Sequence, residues 1–354
     1  MFSKLKTRWH RLGPKAAPPA GRLSSGLFGA GQFFHYAYAP ALNQSASPLV
    51  IAGILTRDEA RFQSAQRALR YPVKAFREAD ALLVANLQAA LVLLPNHLHF
   101  EIVRQALERG LHVFCEKPLA QNVAEALALK AIAEKSGRVL MVDFNQRYLD
   151  RDRVLKQVVA EARLGKILSV RAFHNQDLRG LKSFAPLHRE ITGGGVIHNA
   201  GIHFINLFLH WFGDVAHVSA RFENRALPVE CGEDTAHCRF WFRNGVTATL
   251  DASLAGAVDT TYERVEFTGT DGELSSDLKK GNILCRHKSN PQLKIPCRAE
   301  IMSDSVFNAL DHFAQCVKKG ARPETGVDDF IKTMKVIEAL TLSAREHGAE
   351  IFLD

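Results

Sequence analysis

The 354-residue chain has no CxxC pair. Its six cysteines, at 115, 231, 238, 285, 297 and 316, are scattered, which speaks against a zinc site and against a small disulfide framework. A reducing, cytoplasmic compartment fits that usage, and no metal is expected. No stretch approaches the roughly 18 consecutive apolar residues of a membrane helix, and residues 1–21 lack the apolar core of a secretory signal. Acid is also missing at the start: no Asp or Glu precedes Asp58, whereas Lys4, Lys6, Arg8, Arg11, Lys15, Arg22 and Arg57 all do. One reading of this basic leader is an arm for membrane or nucleic acid, or an acid-poor transit peptide. The other is a disordered tail over residues 1–21, joined to the domain through Pro14, Pro18, Pro19 and Gly21. No nucleic-acid motif accompanies the net charge of +8, so no nucleic-acid partner is expected.

What is present is ordinary globular composition, 47% hydrophobic and 23% charged, at a length that suits about two domains. Over residues 22–144, apolar runs alternate with helical patterns. Strands are expected at 22–28, 49–55, 89–94 and 139–144, with one more at Val113-Phe114-Cys115 that ends in Glu116-Lys117-Pro118. Helices are expected at 32–42, broken or kinked by Pro40, and at 57–69, 97–109 and 122–136, the last opened by a capping box of Asn122 and Glu125. Such alternation implies βαβ units in a doubly wound parallel sheet, a nucleotide-binding architecture spanning 22–144.

After residue 145 the pattern changes. Strands at 167–174, 215–224, 235–243, 246–253, 262–268 and 282–286 follow one another with short turns, which predicts a large, mostly antiparallel open sheet. Helices at 152–163, 199–212, 304–319 and 327–347 complete a second α/β domain over 145–354. A second apolar face on that sheet would pair across a two-fold axis, so a homodimer or homotetramer is expected.

Three clusters carry chemistry. Gly29-Ala30-Gly31, between strand and helix, lets backbone amides approach a pyrophosphate, although the third position of the dinucleotide fingerprint is Phe34. The second strand ends in Thr56-Arg57 where a ribose-binding acid is usual. A guanidinium there binds a 2′-phosphate, so NADP is expected over NAD, the alternative being that Arg57 only opens a helix. Lys117 stands at the carboxyl end of a buried strand, where such sheets place their ligands; a surface Glu-Lys pair is the plainer reading. Gly193-Gly194-Gly195 leads into Asn199 and His203, an i, i+4 pair on one helix side, with Asn206 on the same face. Three successive glycines are read here as a turn beside a ligand rather than as a packing device.

Together, Gly29-Ala-Gly31, Pro95-Asn96-His97-Leu98-His99, Glu116-Lys117-Pro118, Asn145-Gln146-Arg147 and Gly193 through Gly201-Ile-His203 resemble the Gfo/Idh/MocA family of glucose-fructose oxidoreductase, inositol dehydrogenase and rhizopine-catabolism proteins. The resemblance implies a Rossmann domain, a substrate domain, and hydride transfer between NADP or NAD and a sugar, cyclitol or nucleotide sugar. It implies cofactor contacts from Gly29, Gly31, Gln32, Phe33, Thr56, Arg57, Pro95, Asn96, His99, Glu116, Lys117 and Asn145, and substrate contacts from Arg147, Asn199 and His203. Family members use lysine, aspartate and histidine at Lys117, position 199 and His203. Here position 199 is Asn, which cannot hold charge or take a proton. Without that carboxylate His203 is expected to be neutral and to act as base, with Lys117 polarising the oxygen; a desolvated Lys117 as base is the converse assignment. Asparagine here also resembles the branch that oxidises UDP-N-acetylglucosaminuronate, and an anionic substrate suits a basic chain. The reading from another class is a catalytically silent relative that binds nucleotide or a partner.

Overall fold

The computed structural model describes residues 21–181, 183–184, 187–256, 262–277, 282–289 and 294–354. The expected leader lies outside the described residues except for Gly21. The described residues divide into two units, one holding those up to Tyr148 with Ile301–Ile331, the other holding those of Leu149–Glu300 with Lys332–Asp354.

In the first unit, strands β1 (Leu23–Phe28), β2 (Leu49–Leu55), β3 (Lys74–Phe76), β4 (Ala89–Val92), β5 (His112–Glu116) and β6 (Leu140–Asp143) form a sheet ordered β3-β2-β1-β4-β5-β6. Every ladder in it is parallel. All four residues of β4 are buried, as a strand covered on both faces requires, and that is why it reads as a plain apolar run. Helices α1 (Ala39–Leu42), α2 (Glu59–Leu69), α3 (Ala79–Leu83), α4 (His99–Glu108) and α5 (Val123–Ser136) run between the strands. Ahead of α1, Phe34–Tyr38 is a π-helical turn in which the Ala39 N–H donates to Phe34 O. Pro40 has no N–H to continue a regular ladder, and the irregularity falls where it was expected. At α5, Asn122 Oδ1 accepts the Glu125 N–H at 2.9 Å, while Glu125 Oε2 accepts from Gln121 N at 3.0 Å. The reciprocal arm of the capping box thus closes one residue earlier than the pattern implies.

Farther along the chain come α6 (Asp150–Ala160), β7 (Ile167–Asn175), α7 (Arg189–Thr192), α8 (Ile202–Phe212), β8 (Val215–Glu223), β9 (Thr235–Phe242), β10 (Thr247–Ser253), β11 (Tyr262–Gly269), β12 (Gly272–Asp277), β13 (Asn282–His287) and β14 (Lys294–Pro296). The chain closes with α9 (Met302–Lys319), α10 (Val327–Arg345) and β15 (Ile351–Phe352). The second unit's nine strands are ordered β14-β13-β12-β11-β7-β10-β9-β8-β15, antiparallel except for the β10–β7 pair. Burial alternates along β9, β10 and β11, so one face is core. Phe208 and Trp211 of α8 pack on it, their rings 5.4 Å from Phe240 and 5.3 Å from Phe267.

Two expectations are corrected. The other face of the sheet is mixed rather than apolar: Arg171, Arg239, Asp251, Arg264 and Glu266 alternate with the core residues, beside Phe173 and Trp241 on the same face. Nor is 145–354 one continuous domain. Helix α9 buries Val306, Ala309, Leu310 and Phe313, a stripe at helical spacing, in the core that also contains Tyr38, Leu91 and Phe114. Phe313 meets Phe114 edge-on at 5.6 Å. Phe313→Ala should therefore lower the unfolding free energy by about 3–5 kcal/mol in urea denaturation. A loss under about 1 kcal/mol would show that α9 does not complete this core.

Candidate active site

All strands of the first sheet point the same way, so the turns after β1, β2, β4, β5 and β6 share one edge. β1 and β4 are neighbours, and the chain leaves them toward opposite sides. That is the strand-order reversal where such sheets hold ligands. Gly29 follows β1 with φ +98°, and a Cβ there would stand 2.6 Å from Leu93 O, so only glycine fits. Gly31 has open space where its Cβ would be, and Gly31, Gln32 and Phe33 are exposed. Phe34, in the place of the third glycine, is instead buried in the core. The backbone cradle fits a dinucleotide pyrophosphate at a narrow turn.

After β2, the Thr56 hydroxyl donates to Asp58 O at 3.2 Å, and Asp58 caps α2 by accepting the Arg61 N–H at 3.0 Å. Arg57 is exposed and makes no ion pair among the described residues. After β4, Pro95 is exposed and Asn96 begins a short 3-10 turn.

His99, expected as a cofactor contact, lies inside the fold. It is fully buried, with Nδ1 2.8 Å from Pro118 O and Nε2 2.7 Å from Leu94 O. The ring is a strut linking the turn after β4 to the turn after β5, and burial pulls its pKa down against the pull of both carbonyls. Arg147, expected as a substrate contact, has only 4% of its side chain exposed, pairs with Asp329 at 2.9 Å and donates to Glu324 O at 2.9 Å. A buried guanidinium needs such compensation and has little left for a ligand. Asn145, also buried, turns its amide toward Ser305 Oγ at 3.3 Å and Met302 Sδ at 2.9 Å on α9.

Lys117 is half-buried at the end of β5, and the peptide bond to Pro118 is cis. Burial pulls its ammonium below the ordinary lysine range, opposed by Glu116 and, less strongly, Asp143. Glu116 accepts the Lys117 N–H at 3.1 Å and the Tyr38 hydroxyl at 2.8 Å. Tyr38 and Asp143 were not foreseen. A signal existed for Asp143: it ends the apolar strand β6 at the position paired with Glu116 on β5, so two carboxyls sit side by side.

In the second unit, Gly193 takes φ +83°, and the next two glycines turn out to serve packing. A Cβ on Gly194 would stand 2.2 Å from the His198 ring, and one on Gly195 would overlap Glu233 O. Glu233, likewise unforeseen, ties this turn by accepting the N–H of Gly195 at 3.3 Å and of Ile197 at 3.2 Å, and burial raises its carboxyl pKa. Ile197–Gly201 is a π turn that carries Asn199 into α8, and both Asn199 and His203 are half-buried. Asn206 is fully buried and donates to Thr333 Oγ1 at 3.0 Å, which makes it a structural tie.

Among the described residues no group of three His, Cys, Asp or Glu is placed to hold a metal, and no helix is long and apolar enough to cross a membrane. Residues 23–144 match the profile described as "Oxidoreductase family, NAD-binding Rossmann fold", and residues 153–275 match the Gfo/Idh/MocA C-terminal domain. D-xylose 1-dehydrogenase (NADP(+)) 2 of Haloferax volcanii is 29% identical over 327 residues, covering 87% of this chain and 94% of that protein. D-apiose dehydrogenase of Paraburkholderia graminis is 26% identical, covering 84% and 81%. A levoglucosan dehydrogenase in complex with NADH and levoglucosan shares the fold with a TM-score of 0.84 at 20% identity, covering 94% of this chain and 99% of that one. Both halves of the sequence, matched in order, make the chain a member of the Gfo/Idh/MocA family of oxidoreductases.

Proposed function

We propose that this oxidoreductase moves a hydride between a nicotinamide dinucleotide, NADP in preference to NAD, and a hydroxyl or carbonyl of a sugar, cyclitol or nucleotide sugar. The observation that carries this reading is the clustering of Gly29, Arg57, Pro95, Asn96, Glu116 and Lys117 on the carboxyl edge of one parallel sheet, around its strand-order reversal. Family membership and relatives named for D-xylose and D-apiose support a sugar-like substrate. The dinucleotide supplies the hydride acceptor or donor when bound. Lys117 polarises the reacting oxygen as a cation, His203 takes or returns the hydroxyl proton as a neutral imidazole, and Asn199 orients that ring by hydrogen bonding. With Asn at 199, Lys117 is the fixed charge we assign to the substrate, which favours anionic sugars such as uronates. Unpaired cysteines support a reducing, cytoplasmic setting. The broad second sheet supports a homodimer or homotetramer formed through that sheet.

Purified protein should oxidise at least one member of a panel of neutral sugars, uronates and nucleotide sugars, read by absorbance of the reduced nicotinamide. Tight NADP(H) binding with no turnover across the panel would instead favour a nucleotide-binding protein. On the active substrate, His203→Ala and Lys117→Met should each lower kcat by at least about a hundredfold. If neither does, the assigned site is wrong. Arg57→Ala should raise the Kd for NADP by at least about tenfold and leave that for NAD nearly unchanged, because only NADP carries the 2′-phosphate. Equal effects on both would overturn the preference.

A further inference from the structure

Beside Lys117, three oxygens stand in a row. Tyr38 Oη is 2.8 Å from Glu116 Oε1 and 2.5 Å from Asp143 Oδ2. Tyr38 and Asp143 are no more than 1% exposed, so water does not supply the hydrogens between them. Each of the two contacts needs one hydrogen, and a phenol has only one. The second must belong to a carboxyl. Glu116 and Asp143 together therefore carry one negative charge, not two, as adjacent buried carboxyls do when they share a proton.

The charge rests on Glu116. Its second oxygen accepts the Lys117 N–H, and the lysine ammonium attracts it most directly. Asp143 holds the proton: its Oδ1 is buried with no hydrogen-bond partner, which a neutral acid tolerates far better than a carboxylate does. Burial, and next Glu116, push the Asp143 carboxyl well above the ordinary range. The other titratable groups facing the pair are the Cys115 thiol on β5 and the Tyr148 hydroxyl beyond β6. Helix α9 brings Met302, Ser305 and Phe313 to this region, all uncharged.

We propose that Asp143 and Tyr38 are positioning residues for Lys117, forming with Glu116 a closed relay that holds one proton between two carboxyls and lets their single negative charge move. When the Tyr38 hydrogen passes to Glu116, the Asp143 hydrogen passes to Tyr38; Asp143 becomes the anion, and no proton enters or leaves. Glu116 acts more strongly on the lysine than Asp143 does, so this shift frees more of the ammonium's field for a substrate oxygen that is gaining charge. The inference rests on Lys117 acting as that cation.

Infrared difference spectra near neutral pH test the relay without any turnover. Wild type minus Asp143→Asn should show the carbonyl stretch of one buried carboxylic acid, and Tyr38→Phe should shift that band because the acid loses the oxygen it donates to. No acid band in the wild type, or a band unmoved in Tyr38→Phe, would overturn the relay even if the protein acts on no sugar. On an active substrate, both variants should lower kcat about tenfold and leave the dinucleotide Kd within about twofold. Equal losses in binding and turnover would mean a structural role only.

Discussion

The crowding of two backbones at the point where β1 ends beside β4 governs the first unit. Gly29 is pressed against Leu93 O, and the turn can pass only because no side chain is present. Since the strands are parallel, fixing that one turn also fixes the edge on which all the others fall. Phe34 then modifies the usual arrangement. A large ring in place of a glycine fills the core beneath the turn, and the π segment around it carries Tyr38 inward to the carboxyl ends of β5 and β6. A departure from the fingerprint thus has a local consequence: it brings a phenol among acids.

The second unit works by a different rule. Its strands alternate, so one face is core and the other mixes polar and aromatic side chains, including the His237–Asp251 pair at 2.6 Å and an Arg171 guanidinium 5.1 Å over the Phe173 ring. Acids in this unit repeatedly tie down backbone. Glu233 holds the glycine turn, and Asp234 accepts the N–H groups of Arg225, Ala226 and Leu227. The glycines near Asn199 therefore answer to their neighbours' atoms first.

Much of this was legible in the sequence. Strands β1, β2, β4, β7, β9 and β10 are where the apolar runs and alternations place them, because burial on one or two faces leaves a direct periodic trace. Strand β3 left none: Lys74-Ala75-Phe76 is three residues long and mostly exposed. The motif residues split for a physical reason. Glycines and Lys117 are recognisable because local backbone and strand position decide their setting, whereas the buried settings of His99 and Arg147 were not legible because Pro118, Glu324 and Asp329, which hold them, are distant in sequence. The amphipathic pattern of α9 was plain, but which core it completes is a tertiary fact.

That last point bears on how the chain is made. The two units interleave: the nucleotide-binding unit stops at Tyr148 and resumes at Ile301, with Phe313 and its neighbours still to come. A ribosome releases the six parallel strands long before it releases the helix that covers Phe114. The first unit therefore cannot finish folding until residues 149–300 have been made, and its sheet must wait until then with one apolar flank open.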